Sequence, residues 1–115
     1  DDAIALKQTN GATFECLNIF YSHGLSIGSV SEGNVVQNVV FKDIELTAPE
    51  YAVRIKAKKF STGLVQNVYY TNILAHQANV TAIGIRDDYL DPDADFKPDS
   101  DVMIKGIHFT DFTAT

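Results

Sequence analysis

Hydrophobic and polar residues alternate along this chain in short stretches, and one seven-residue version of the alternation occurs four times. The four copies read DDAIALK (1–7), SHGLSIG (22–28), EYAVRIK (50–56) and VTAIGIR (80–86). Their paired apolar positions are separated by 21, 28 and 30 residues from one copy to the next. Alternation at period two indicates a β-strand, and recurrence of one strand at such intervals indicates a solenoid in which each coil contributes one copy.

A second family of strands lies between the copies of the first. It comprises FECLNIF (14–20), QNVVFKDI (37–44), QNVYYTNI (66–73) and KGIHFTDF (105–112), which we align on Leu17, Val39, Val68 and Ile107. The two families alternate in order, and crossovers between parallel strands are almost always right-handed. The sequence therefore predicts an all-β protein, a right-handed parallel β-helix of about four coils, with loops at 29–34, 47–49, 57–63 and 87–101.

Two recurring positions in the second family indicate packing and turns. Phe41, Tyr70 and Phe109 fall at one coil position, which favours a role in the interior. Asn38, Asn67 and Gly106 share another position, and both residue types tolerate a left-handed backbone, so we expect a tight bend there.

The composition limits the class of protein. The chain is 45% hydrophobic with a net charge of −6 and one cysteine, so no internal disulfide can form. It contains no apolar stretch long enough to span a membrane and nothing resembling a signal peptide. An acidic chain without a broad basic surface is a poor nucleic-acid binder. Because residues 1–7 already form a strand copy, we expect residues 1–115 to be one partial domain of a longer helix, with N-terminal coils missing.

Stacking of the first strand family predicts a cluster of charged side chains. The inner columns are apolar, whereas the outer columns read Ala5/Ser26/Arg54/Gly84 and Lys7/Gly28/Lys56/Arg86, with Asp2, His23, Tyr51 and Thr81 just before them. Asp1 and Asp2 can share one face only if regular alternation begins after Ala3. Two carboxyls whose proton affinities are set by neighbouring charges are the minimum requirement for glycoside hydrolysis.

The motifs DDAIALK, SHGLSIGS and YAVRIK, in this order, resemble those of glycoside hydrolase family 28, the polygalacturonases and related pectin hydrolases. The resemblance implies a secreted, monomeric parallel β-helix that inverts the anomeric centre as it hydrolyses α-1,4 links of the acidic polysaccharide pectin, without cofactor or metal. It implies that Asp1 is the general acid, that Asp2 activates water and that His23 supports the acid. It also implies that Arg54, Lys56 and Tyr89 bind the substrate. A third aspartate, in an Asn-Thr-Asp motif one coil upstream, is outside this sequence, so we expect activity to require that coil.

Several alternatives stay open from the residues alone. The protein could act on rhamnogalacturonan or xylogalacturonan, or could bind acidic polysaccharide without cleaving it. His23 could be an ordinary turn residue, and Tyr89 could cap the apolar interior. We assign His76 and His108 to surface or packing roles. The acidic stretch 87–101 lacks the glycine and glutamate of a calcium loop, so we interpret it as a surface loop.

Overall fold

The chain is wound into two parallel four-stranded sheets, as a computed structural model shows for residues 1–89 and 101–115, with side chains described for 1–86 and 101–115. The first sheet has the order β1-β3-β5-β7 and the second β2-β4-β6-β8. The strands are β1 (Ile4–Leu6), β2 (Thr9–Phe20), β3 (Leu25–Val30), β4 (Asn34–Thr47), β5 (Tyr51–Lys58), β6 (Thr62–His76), β7 (Thr81–Tyr89) and β8 (Asp101–Ala114). This alternation confirms the predicted all-β parallel helix of four coils.

The first sheet has the register that the sequence predicts. The inner columns are Ile4/Leu25/Val53/Ile83 and Leu6/Ile27/Ile55/Ile85. In the two middle coils these side chains are completely buried, whereas Ile83 and Ile85 in the fourth coil are 37% and 49% exposed. Each coil buries its apolar face against the next one, so the last coil described leaves part of that face uncovered.

The second sheet contains a ladder of aromatic rings in the interior. Phe14, Phe41, Tyr70 and Phe109 stack in sequence, with centroid separations of 5.3, 4.9 and 5.1 Å. This confirms the packing role of the recurring aromatics but corrects our alignment of the first copy. Leu17 pairs with Ile44, and Phe14, rather than Ile19, is the partner of Phe41. The alignment was wrong by five residues, because it placed Leu17 and Ile19 where the structure has Ala12 and Phe14, and both registers put apolar residues inside.

Left-handed residues bend the long strands, which extend beyond the predicted segments. Asn38, Asn67 and Gly106 have φ values of 58°, 54° and 64°, as expected for the recurring Asn/Gly position. A second bend, which we did not predict, is formed by Cys16, Asp43, Asn72 and Asp111. Because hydrogen bonding continues on both sides of each bend, the loops are shorter than predicted: only 31–33 and 59–61 separate the strands there. The predicted acidic loop at 87–101 lies largely outside the described residues.

Within the described ranges, no helix is long and apolar enough to cross a membrane.

Candidate active site

The entry to the first sheet brings Asp1 and Asp2 next to His23. The strand β1 begins only at Ile4, so the two acidic residues precede regular alternation, as the sequence analysis required. Backbone hydrogen bonds run from the His23 amide to the Asp1 carbonyl and from the Ala3 amide to the Gly24 carbonyl, at 2.8 and 3.1 Å. Gly24 has φ +110°, and a Cβ there would collide with the Tyr51 carbonyl of the next coil. Glycine at this position therefore allows the His23 turn to stack closely on Tyr51.

The carboxylate of Asp2 is the centre of the site. Its Oδ1 accepts hydrogen bonds from Ser26 Oγ at 2.5 Å and from Arg54 Nη2 at 2.8 Å, and its Oδ2 accepts one from Lys56 Nζ at 2.8 Å. The side chains of Asp2, Arg54 and Lys56 are only 10%, 12% and 6% exposed. We predicted the side of the sheet on which Arg54 and Lys56 lie, but not that the ion pairs would be almost buried.

These contacts set the protonation state of Asp2. Burial alone would raise the pKa of the carboxyl, but hydrogen bonds from Lys56, Ser26 and Arg54, together with the charge of Lys56, outweigh it and lower the pKa to about 2. Asp2 is therefore ionised over the whole range in which a protein normally works. An ionised carboxylate can accept a proton from water and cannot act as an acid.

Arg54 packs on the ring of Tyr51, for which Gly84 leaves room. Its guanidinium lies 5.0 Å from the centroid of the Tyr51 ring, a cation–π contact. A Cβ at Gly84, in the next coil, would come within 2.9 Å of that ring, so the glycine leaves room for Tyr51. The change along the column Ala5/Ser26/Arg54/Gly84 thus has a local reason: small residues flank the one large cation.

His23 and Asp1 are more accessible than Asp2. The His23 ring lies 3.6 Å from Glu50 through Nε2 and Oε2, and both side chains are about 40% exposed, at 40% and 43%. Asp1 is exposed, and its Oδ1 accepts a hydrogen bond from the Asp2 backbone amide at 2.9 Å. The two carboxyls therefore differ: Asp2 is fixed by three donors, whereas Asp1 faces solvent.

An open cavity of about 370 Å³ collects five of the six predicted site residues. Lys7, Gly28 and Ser29 also line it, together with Asp1, Asp2, Ala5, His23, Arg54 and Lys56. The sixth residue, Tyr89, ends β7 opposite Lys58, and its side chain lies outside the described residues. Among described residues, no three acidic, histidine or cysteine side chains are grouped to hold a metal ion.

Two residues of the site were missed in the sequence analysis. Ser26 was named there only as a member of an outer column, although a substrate-binding role was assigned to Arg54 in the same column. Two features of the sequence could have identified Ser26: it pairs with Arg54 in the predicted register, and it is the one hydroxyl-bearing residue in a column that also contains Ala5 and Gly84. Glu50 begins the EYAVRIK copy, and only the turn geometry brings it to His23.

The fold and the cavity define a β-solenoid with a carboxylate pair and cations on one outer face. The chain belongs to the glycosyl hydrolases family 28, whose family model matches residues 1–115.

Curated relatives carry polygalacturonase names. The chain is 32% identical to the "Probable endopolygalacturonase D" of Emericella nidulans, 34% to a "Polygalacturonase" of Fusarium fujikuroi and 33% to "Endopolygalacturonase II" of Aspergillus niger. Each match covers 100% of this chain and 23%, 31% and 32% of the respective relative. The chain thus spans at most about a third of the length of these relatives. No solved structure matches it significantly.

Proposed function

We propose that the protein containing these coils is a polygalacturonase-like hydrolase that cleaves α-1,4-galacturonosidic bonds of pectin with inversion. The observation that carries the proposal is the cavity in which one carboxylate is held ionised beside a second, solvent-facing carboxyl. Membership of the family and the names of the relatives support the same reaction.

The two carboxyls take different parts in this reaction. Asp1 donates a proton to the glycosidic oxygen as the bond to the anomeric carbon breaks, and Asp2 activates the water that attacks that carbon from the other side. The exposure of Asp1 supports its part, because an acid must reach the leaving group. The three donors on Asp2 support its part, because they keep the carboxylate ionised. His23 lies beside Asp1 through its backbone contact and supports the acid.

The cations bind the acidic polysaccharide. Lys56 and Arg54 both contact Asp2 and both line the cavity, where their positive charges attract the carboxylate of a galacturonate unit. Tyr89, from the following coil, contributes a contact to the sugar. The charge pattern agrees with this substrate, since an acidic protein concentrates several cations on this one face.

The protein works as a secreted monomer, and the four coils belong to a longer helix. The partly uncovered apolar residues of the fourth coil, Ile83 and Ile85, support a continuing stack. Fungal relatives named as endopolygalacturonases support an extracellular location.

The experiment is to incubate the intact protein that contains these residues with polygalacturonate, rhamnogalacturonan and xylogalacturonan. We expect reducing ends from polygalacturonate, with the β-anomer appearing first in the proton NMR spectrum. The variant Asp1→Asn should reduce the rate of release by about 10²- to 10⁴-fold. Asp43→Asn is the matched control, because it makes the same change at a left-handed position of the second sheet. Release only from the other two polymers, or binding without release, would replace the proposal by one of the alternatives.

A further inference from the structure

We propose that Ser26 is a positioning residue that, together with Arg54, leaves Oδ2 of Asp2 as the atom that receives the proton from water. This inference rests on the proposed function and adds to it a residue and an atom.

The hydrogen bonds of Asp2 distinguish its two oxygens. A carboxylate offers about four lone pairs, two on each oxygen. On Oδ1, Ser26 Oγ and Arg54 Nη2 use both. On Oδ2, the described residues supply one side-chain donor, Lys56 Nζ, so one lone pair is left for a water molecule. The carboxylate is therefore an asymmetric base with one open acceptor position.

Ser26 is suited to fix this asymmetry. It is completely buried, so its hydroxyl has no part in the solubility of the protein. Its bond to Asp2 Oδ1 measures 2.5 Å, within the short range of a hydroxyl that donates to an ionised carboxylate. Because Ser26 and Arg54 are direct partners in the β3–β5 register, their donors approach the same oxygen from adjacent coils. Rotation of the carboxylate would break both bonds.

The consequence for the reaction is a defined proton path. As water attacks the anomeric carbon, one of its protons moves to Oδ2 of Asp2, the glycosidic C–O bond breaks, and the leaving oxygen takes the proton of Asp1. Without Ser26 the carboxylate would lose a donor that favours its ionised form, and Oδ1 would also become open to water. The ionisable groups around Asp2 that bear on this balance are Asp1, Lys7, His23, Arg54 and Lys56, with Glu50 beside His23.

The test compares Ser26→Ala with Ser26→Thr, which keeps a hydroxyl, in the intact protein. We expect Ser26→Ala to lower kcat by about 10- to 100-fold with little change in KM, and to move the acidic limb of the pH–kcat profile to higher pH. Ser26→Thr should restore the wild-type position of that limb. Ser22→Ala is the control: this buried hydroxyl contacts the Gly24 amide instead, so its loss should leave the limb in place.

If Ser26→Ala is less stable than wild type, a lower kcat could reflect partial unfolding, so a second measurement follows the Asp2 carboxyl in the folded protein. The Asp2 carboxyl, followed by carbon NMR in folded protein, should titrate at higher pH in Ser26→Ala than in wild type and Ser22→Ala. An unchanged Asp2 titration, or a loss confined to KM, would overturn the role of Ser26. Absence of hydrolysis by the wild-type protein would instead overturn the proposed function, whatever the NMR titration gives.

Discussion

The second sheet repeats amide side chains at two neighbouring positions, Gln37/Gln66 and Asn38/Asn67, whereas the column of the first sheet that contains Arg54 changes from coil to coil. In the second sheet, Gln66 donates to Gln37 at 2.7 Å and Asn38 donates to Asn10 at 2.8 Å, one coil apart in each case. In the first sheet, the column Ala5/Ser26/Arg54/Gly84 has no two residues alike. The sheets nevertheless share the same stacking and the same dry interior.

The difference suggests that the columns of the two sheets have different roles: repeated columns stabilise the stack of coils, and the changing column forms the candidate active site. A repeated column lets each coil satisfy the hydrogen bonds of the next, so repetition stabilises the stack. A changing column brings unlike groups to the same height, and in the first sheet this produces the Asp2 cluster with Ser26 and Arg54. We therefore expect substitutions at the Asp2 cluster to affect activity, and substitutions in the second sheet to affect stability without affecting activity.

The sharpest contrast lies within the acidic pair itself. In the intact protein, Asp1→Asn and Asp2→Asn should each reduce hydrolysis of polygalacturonate by about 10²- to 10⁴-fold. Asp2→Asn should also lower the free energy of unfolding by about 3 kcal/mol, because Arg54 and Lys56 would keep their buried charges without the carboxylate. Asp1→Asn should leave the urea unfolding midpoint unchanged. Equal stability of the two variants would contradict the claim that Asp2 stabilises the fold through its ion pairs with Arg54 and Lys56.

In the second sheet, truncation of the aromatic ladder should cost stability without altering the site. Phe41 is completely buried between Phe14 and Tyr70, so Phe41→Ala should lower the free energy of unfolding by about 3–5 kcal/mol. Activity per folded molecule should stay at the wild-type value, measured at a temperature well below the unfolding midpoint. A specific loss of kcat would show that the two sheets are not separable.

The difference between wild type and Asp2→Asn in the pH dependence of stability should report the Asp2 ion pairs of the first sheet. Asp2 has an ordinary pKa of 3.8 and a folded pKa of about 2, so its contribution is complete above about pH 5 and is lost progressively as the pH falls through 3.8 towards 2. The contribution is about 1–2 kcal/mol once the open side of the cavity is allowed for. In urea unfolding, the difference in the free energy of unfolding between wild type and Asp2→Asn should become smaller by about 1–2 kcal/mol as the pH is lowered from 7 to 2. Parallel curves would contradict the shift.

The smallest effect that we predict is a gain in stability. The Tyr70 hydroxyl is buried in the ladder with no hydrogen-bond partner among the described residues, and burial raises its pKa well above the ordinary value. Tyr70→Phe removes that hydroxyl and keeps the ring, so it should raise the free energy of unfolding by about 1 kcal/mol. A loss of stability would mean that the hydroxyl has a partner.

Sequence alone predicted the parts of this fold that repeat. The apolar positions of the first strand family gave the correct register, because one slip would have turned every inner residue outwards. The Asn38/Asn67/Gly106 bend followed from residue type alone. The first copy of the second family failed for the opposite reason. Ala12 and Phe14 present the same apolar alternation as Leu17 and Ile19, and only the stacking of Phe14 on Phe41 decides between the two registers.

The site was predictable as a set of residues but not as a set of contacts. Motif resemblance and column stacking identified Asp1, Asp2, His23, Arg54 and Lys56, which line one cavity. The burial of the Asp2 ion pairs and the donor Ser26 depend on side-chain reach across three coils, which periodicity does not encode. The contact between His23 and Glu50 depends on a turn between strands, where no repeat constrains the backbone.

The measurement that tests the central idea most directly is a crystal structure of the intact Asp2→Asn protein with an oligogalacturonate bound. We predict that the oligosaccharide crosses the outer face of the first sheet, with a glycosidic oxygen at Asp1 and a galacturonate carboxylate at Lys56 and Arg54. An oligosaccharide bound on the second sheet, or one whose glycosidic oxygens all lie out of reach of Asp1, would contradict it.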